Sequence, residues 1–285
     1  ERITRLLAEN RWPFRIHATY DESITRFLNL FEKVNQDIPF DGLRFIIDHA
    51  ETIGPRSIER IKALGGGIAI QHRMAFQGEY FVERYGADEA RITPPVTQML
   101  EAGVPVGAGT DATRVASFNP WVSLYWLTSG RTLGGLELYP EQNRLDRTRA
   151  LELWTKGSAW FSGEDDRKGA IRAGEYADLA VLSADYFSIP DEEIKNLSSV
   201  LTMVGGEIVH GDGGFKDLAP PLPPPSPDWA PVLSFGGHYQ RDAAPAGPRV
   251  AHQHHCFEHN HSRASWVSGP TDGFWGTLGC SCFAF

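Results

Sequence analysis

Four short apolar runs, each closing on a reactive side chain and separated by helical segments, constrain this chain more than its composition does. WPFRIHA closes at His17, LRFIIDHA at His49, GIAIQHR at Gln71 and His72, and VPVGAGTDA at Asp111. Between them, DESITRFLNLFEKV carries Ile24, Phe27, Leu28 and Phe31 at helical spacing, and GPRSIERIKALG carries Ile58, Ile61 and Leu64 on one side with Gly65 as its stop. PPVTQMLEAG is a further short helix, and WVSLYWLTSG an apolar one. Upstream, ERITRLLAEN reads as the end of an amphipathic helix with Ile3, Leu6 and Leu7 on one face.

Strand and helix alternating at intervals of roughly thirty residues is the signature of parallel βα units. The runs are nearly all apolar, as expected of strands covered on both faces. A doubly wound sheet and a (β/α)₈ barrel both produce this pattern. The barrel is favoured because every run presents its reactive residue at the C-terminal end, where a barrel assembles one site from several strands. Four units make half a barrel and leave two sheet edges open, so the complementary half is expected upstream of Glu1.

TRALELWTKGSAWFS reads as a helix with Leu151, Leu153 and Trp154 inward, and beyond it the pattern changes. DRKGAIRAGEYADLAVLSADYF and VLTMVGGEIVHG hold short alternating strands parted by Gly turns. APPLPPPSPDWAP is a polyproline-type linker. The expected organisation is a half-barrel over residues 1–162, part of a small β-domain over 163–218, and a Pro-rich linker with a His- and Cys-containing tail over 219–285.

With 285 residues and 41% hydrophobic side chains, the chain can build a substantial core. A formal net charge of −9 argues against nucleic acid or an anionic membrane as the main partner, because both attract Lys and Arg. A small-molecule partner fits better, and a homo-oligomer is compatible with the same composition. No apolar run approaches the ~18 residues of a membrane span. The compartment stays open, with the cytoplasm as the default and export or the periplasm as alternatives. Cys256, Cys280 and Cys282 all lie near the C-terminus, which excludes a disulfide-built fold.

In a barrel the ends of parallel strands converge, so His17, His49 and Asp111 become neighbours in space. Two neutral imidazoles and a carboxylate are good ligands for a divalent metal, Zn²⁺ first among them, as one ion or two. Such a metal lowers the pKa of bound water to about 7 and polarises a carbonyl, and Asp111 is then placed to manage the proton. That combination is metal-assisted hydrolysis.

RIHATYDESI, IIDHAETI, GIAIQHRMAFQGEYFVERYG, VPVGAGTDATRVASFNPWVSL and DRKGAIRAGEYADLAVL together resemble the C-terminal half of an amidohydrolase-superfamily enzyme, specifically the amidohydrolase 3 family, which includes proteins similar to N-substituted formamide deformylases. The resemblance runs from the first residues to about Gly211. It implies the C-terminal half of a metal-dependent-hydrolase TIM (β/α)₈ barrel plus part of a β-sandwich. It also implies hydrolysis of an amide or formamide C–N bond. His17 and His49 correspond to the metal-ligand His residues of the fifth and sixth strands, and Asp111 to the eighth-strand Asp that is both ligand and proton shuttle. The family's first-strand His-x-His and its bridging fourth-strand residue have no counterpart here, so the chain alone is expected to have little or no activity. A hydrolase or deaminase of a cyclic substrate on the same scaffold is the alternative enzyme.

Other polar residues carry competing readings. Gln71 and His72 close a strand, and alternation lets one of them reach substrate. Arg73 and Arg114 lie just past strand ends, where a guanidinium fork clamps a carbonyl or carboxylate, or forms a structural ion pair. Asp48 and Glu51 flank His49 as partners that would orient its ring. Trp121, Trp126, Trp154 and Trp160 fit an outer packing layer. The glycines of GAGTDA and LGGGIAI make no dinucleotide fingerprint and fit tight turns. The tail sequences HQH at 252–254 and HNH at 259–261, with Cys256, Cys280 and Cys282, support a non-enzymatic metal-binding module as a separate reading.

Overall fold

A computed structural model describes residues 1–112 and 116–221. Strands β1 (Phe14–Tyr20), β2 (Phe45–Thr52), β3 (Gly67–Gln71) and β4 (Val106–Gly109) form a parallel sheet in the order β1-β2-β3-β4. This order runs straight through, without the reversal at which doubly wound sheets bind their ligands. Helix α1 (Arg2–Glu9) precedes β1, α2 (Asp21–Asp37) connects β1 to β2, and α3 (Pro55–Ala63) connects β2 to β3. The longer connection to β4 holds α4 (Met74–Tyr85), α5 (Ala87–Ala90) and α6 (Val96–Ala102), and α7 (Pro120–Ser129) follows β4.

The two faces of the sheet are built differently. On one, Phe14 meets Phe31 of α2 edge-on with ring centroids 5.4 Å apart, and Phe40 and Phe45 complete an aromatic cluster. Ile24, Leu28, Phe31 and Val34 are the buried stripe of α2, while Phe27 is half-buried and stacks on Phe31. Ile58, Ile61 and Leu64 of the α3 segment are buried as their spacing predicts. The other face carries Arg15, His17, Asp48, Ala69 and Gln71 in register, with Gly67 and Gly107 between them.

Those two glycines make room rather than turns. A Cβ on Gly107 would lie 2.3 Å from the ring of Phe161, and one on Gly67 would lie 2.6 Å from Trp160 and 2.9 Å from Phe161. A distant aromatic pair therefore packs directly on the backbone of β3 and β4. That pair belongs to a segment expected to be one helix, which divides into α8 (Arg147–Glu152), a π-type turn over Leu153–Gly157 and α9 (Ser158–Ser162). Gly157 touches the β4 backbone so closely that its Cβ would lie 2.2 Å from the Val106 carbonyl. The widened turn brings the chain against the strand edge, and Ser158 Oγ donates to the Ala108 carbonyl at 3.1 Å.

Three expectations are revised. Helix α1 buries Thr4 and Ala8, whereas Ile3 and Leu6 stand 71% and 51% exposed, so its apolar stripe is not turned into this core. Helix α4 lies where no helix is legible from periodicity. Gly78 weakens its local propensity, but a side chain there would meet Leu138 Cδ1 at 2.5 Å, so packing selects Gly. Strands β1 and β2 continue beyond His17 and His49 to Tyr20 and Thr52.

Beyond α9, β5 (Leu179–Leu182), β6 (Ser199–Val204) and β7 (Glu207–Gly211) form an antiparallel sheet in sequence order, with α10 (Asp191–Ile194) between β5 and β6. Val204 pairs with Glu207 across Gly205 and Gly206, whose φ values of 59° and 88° are those of a two-residue type I′ hairpin.

Candidate active site

The site grows from an irregularity in β2. Ala18 pairs with His49 and Tyr20 with Thr52, so β2 spends one residue more than β1 over this stretch. At the same place His49 and Ala50 have φ values of 82° and 52°. A non-glycine residue in the left-handed region costs on the order of 1–3 kcal/mol and persists only where its surroundings hold it. The bulge breaks the strict alternation of β2 and re-aims His49. His17, whose partner across the ladder is Asp48, ends with its ring 4.3 Å from that of His49, at an interplanar angle of 69°.

His49 is 6% exposed, whereas His17 is open to solvent. Burial, with His17 and Arg73 acting in the same direction, pushes the His49 imidazole down to about 4, against the opposing pull of Asp111 and Asp48. At neutral pH His49 is therefore uncharged and has a lone pair to give. Asp111 lies just past β4, solvent-exposed, with a left-handed φ of 52° of its own. Two of the three expected ligands thus sit on strained backbone, as functional side chains often do.

Asp48 and Glu51 have different partners. Asp48 takes a two-pronged ion pair from Arg15, which shares its face. Glu51 is 1% exposed, and its Oε1 lies 3.7 Å from His49 Nδ1 and 4.0 Å from Arg73 Nη1. Burial pushes its carboxyl up to about 7, held back by the Arg73 charge.

Gln71 and His72 are both buried, in different settings. Gln71 donates from Nε2 to the Ala69 carbonyl at 2.9 Å and lines a cavity of about 250 Å³ together with Arg15, Gly109, Ser158 and Phe161. His72 turns toward the end of β4, with Nδ1 3.4 Å from the Gly109 carbonyl oxygen and its ring against Phe76. Burial pushes its imidazole down to about 4, opposed by hydrogen bonding to the backbone of Gly109 and Ser117. Arg73 is 8% exposed beside Glu51. Arg114 and the tail His and Cys residues lie outside the described residues. Arg15 was not singled out from sequence, although its position two residues before His17 places it on the same strand face.

The donor chemistry fits part of a site for a divalent metal: two imidazoles in contact, the buried one neutral, and a carboxylate near enough for its charge to act on it. Among the described residues, no group of three His, Cys, Asp or Glu side chains is arranged to hold an ion. What the fold brings together is the His17–His49 pair with Glu51 and Arg73 behind it.

Residues 1–210 match the sequence profile of the amidohydrolase family, of the type 3 group. The chain belongs to that family. It is similar to the N-substituted formamide deformylase of Arthrobacter pascens, 27% identical over 193 residues that make up 67% of this chain and 35% of that protein. Its fold matches an uncharacterized metal-dependent hydrolase from Pyrococcus horikoshii with a TM-score of 0.56 and 24% identity, covering 67% of this chain and 38% of the other. It also matches the atrazine chlorohydrolase TrzN of Arthrobacter aurescens, solved in complex with zinc, with a TM-score of 0.53 and 18% identity over 78% of this chain and 48% of the other. The amidohydrolase chain thus has the α/β fold of metal-dependent hydrolases, with a parallel sheet matching their TIM barrels over part of its length. It spans about a third of the length of the curated relative it matches.

Proposed function

We propose that this amidohydrolase-family chain serves metal-dependent hydrolysis of a C–N bond, amide or formamide, in a small molecule. The observation that carries the reading is the contact between His17 and His49 on neighbouring strands, produced by a strained bulge. Family membership and the name of the Arthrobacter pascens relative support the bond type. His17, His49 and Asp111 would hold the metal, with Zn²⁺ the best match to this donor set. When bound, such an ion supplies an activated water at neutral pH and polarises the scissile carbonyl.

The chain's own residues have separate tasks. Asp111 takes the proton from the attacking water and delivers it to the leaving nitrogen, which is the step an amine leaving group requires. His49 stays neutral through burial and so remains a donor to the metal. Gln71 lines the cavity and its buried Oε1 has no hydrogen-bond partner among the described residues, and His72, Arg73 and Arg114 are the further substrate-binding candidates.

Zinc stoichiometry on a chain ended at Ser234, with and without the His17→Ala/His49→Ala double change, tests the reading. Binding that disappears with the double change supports it. Binding that persists in the double mutant, or that depends only on the removed tail, contradicts it.

A further inference from the structure

Glu51 presents a problem that the metal reading leaves unsolved. It is 1% exposed, and among the described residues neither carboxylate oxygen has a side-chain hydrogen-bond partner. An isolated buried carboxylate is costly, and in an apolar setting a neutral side chain would be more stable. Its surroundings supply a reason for an acid there. Oε1 lies 3.7 Å from His49 Nδ1, itself buried and without a hydrogen-bond partner among the described residues, and 4.0 Å from Arg73 Nη1. The unpaired acceptor and the unpaired ring nitrogen therefore face each other, with a guanidinium behind the acceptor. A movement of roughly 0.5–1 Å brings the pair into hydrogen-bonding range. Asp48, the other acidic neighbour of His49, is already engaged by Arg15 on the sheet face.

We propose that Glu51, and not Asp48, is the positioning residue of His49: its carboxylate accepts a hydrogen bond from Nδ1–H, fixing the tautomer that leaves the Nε2 lone pair free, while Arg73 seats the carboxylate. A ligand imidazole generally donates its second ring nitrogen to such a group, which sets both ring direction and basicity. The bulge that re-aims His49 also carries Glu51, so one irregularity of β2 places ligand and partner together. This assignment rests on His49 being a metal ligand for its purpose, but the tautomer can be read without any metal.

Long-range ¹H–¹⁵N correlation spectra of the metal-free full chain at neutral pH test it, the His49 signals being identified by their loss in His49→Ala. The expected result is the Nδ1–H tautomer in the wild type, retained in Glu51→Gln, whose amide oxygen still accepts, and no longer predominant in Glu51→Ala. A wild-type Nε2–H tautomer, or an Ala variant with an unchanged tautomer, overturns the proposal. Should Glu51→Ala fail to fold, the wild-type tautomer decides alone. Zinc titration provides the second readout: Glu51→Ala weakens binding about 10–100-fold and Glu51→Gln less. If His49→Ala leaves zinc binding unchanged, the metal reading fails, and the tautomer result still decides whether Glu51 positions His49.

Discussion

His17 and His49 lie on adjacent parallel strands with their rings 4.3 Å apart, although the ladder pairs His17 with Asp48. Side-chain alternation alone would send neighbouring residues Asp48 and His49 to opposite faces. The left-handed backbone at His49 and Ala50 overrides it, and the imidazole contact is the consequence.

If the two rings share one ion, each of His17→Ala and His49→Ala lowers zinc affinity about tenfold or more, ~1.4 kcal/mol. Losing either ligand already breaks the chelate, so the double change costs less than the sum of the singles. Calorimetric titration of the four chains reads this directly, and strictly additive losses would mean that the two rings bind separately.

His72 makes stability depend on acid. Its folded imidazole titrates near 4, below the ~6.5 of an unfolded His, so the unfolded chain takes up the proton first as pH falls. Its contribution is intact above about pH 6.5 and is lost toward pH 4, by up to about 3 kcal/mol. Urea titrations across that window should show His72→Gln losing one proton's worth of slope relative to wild type. Parallel pH profiles for the two chains would contradict the burial argument.

A buried relay crosses the loop after α7. Trp126 Nε1 donates to Tyr139 Oη at 3.2 Å, and Tyr139 Oη donates to the Thr93 carbonyl at 2.7 Å. Tyr139→Phe preserves the shape of the ring but leaves a donor and an acceptor unpaired, at a cost of about 1–3 kcal/mol. Thermal denaturation checks this; an unchanged Tm would show that the relay adds nothing.

Gly157→Ala sets two effects against each other. Ala favours helical backbone by about 1 kcal/mol over Gly, but here its Cβ would sit 2.2 Å from the Val106 carbonyl oxygen. The obstacle is backbone and cannot rotate away, so the change is expected to destabilise by about 1–3 kcal/mol. Equilibrium unfolding should show the loss, and a gain in stability would mean that the turn is not pressed against β4.

The amino-acid order by itself determined the strand–helix alternation, the buried stripes of α2 and α3, the hairpin at Gly205–Gly206 and the family resemblance. The structural features among these rest on patterns with a range of a few residues, period two, period 3.6, or a φ that only glycine adopts cheaply, while the resemblance rests on the order of several such segments. Helix α4 was not legible, because its Gly78 is favoured by contact with Leu138 rather than by local preference. The same holds for Gly67 and Gly107, which read as turn residues but give space to an aromatic pair from far along the chain. At the site, His17, His49 and Asp111 were legible as residue types at the ends of apolar runs. That His49 turns to His17, that Asp48 is taken by Arg15 and that Glu51 faces the buried nitrogen of His49 were decided only by the tertiary structure. The physical reason is that one additional residue in β2 is visible only against the register of β1, and its strained backbone persists only because the packed sheet holds it there.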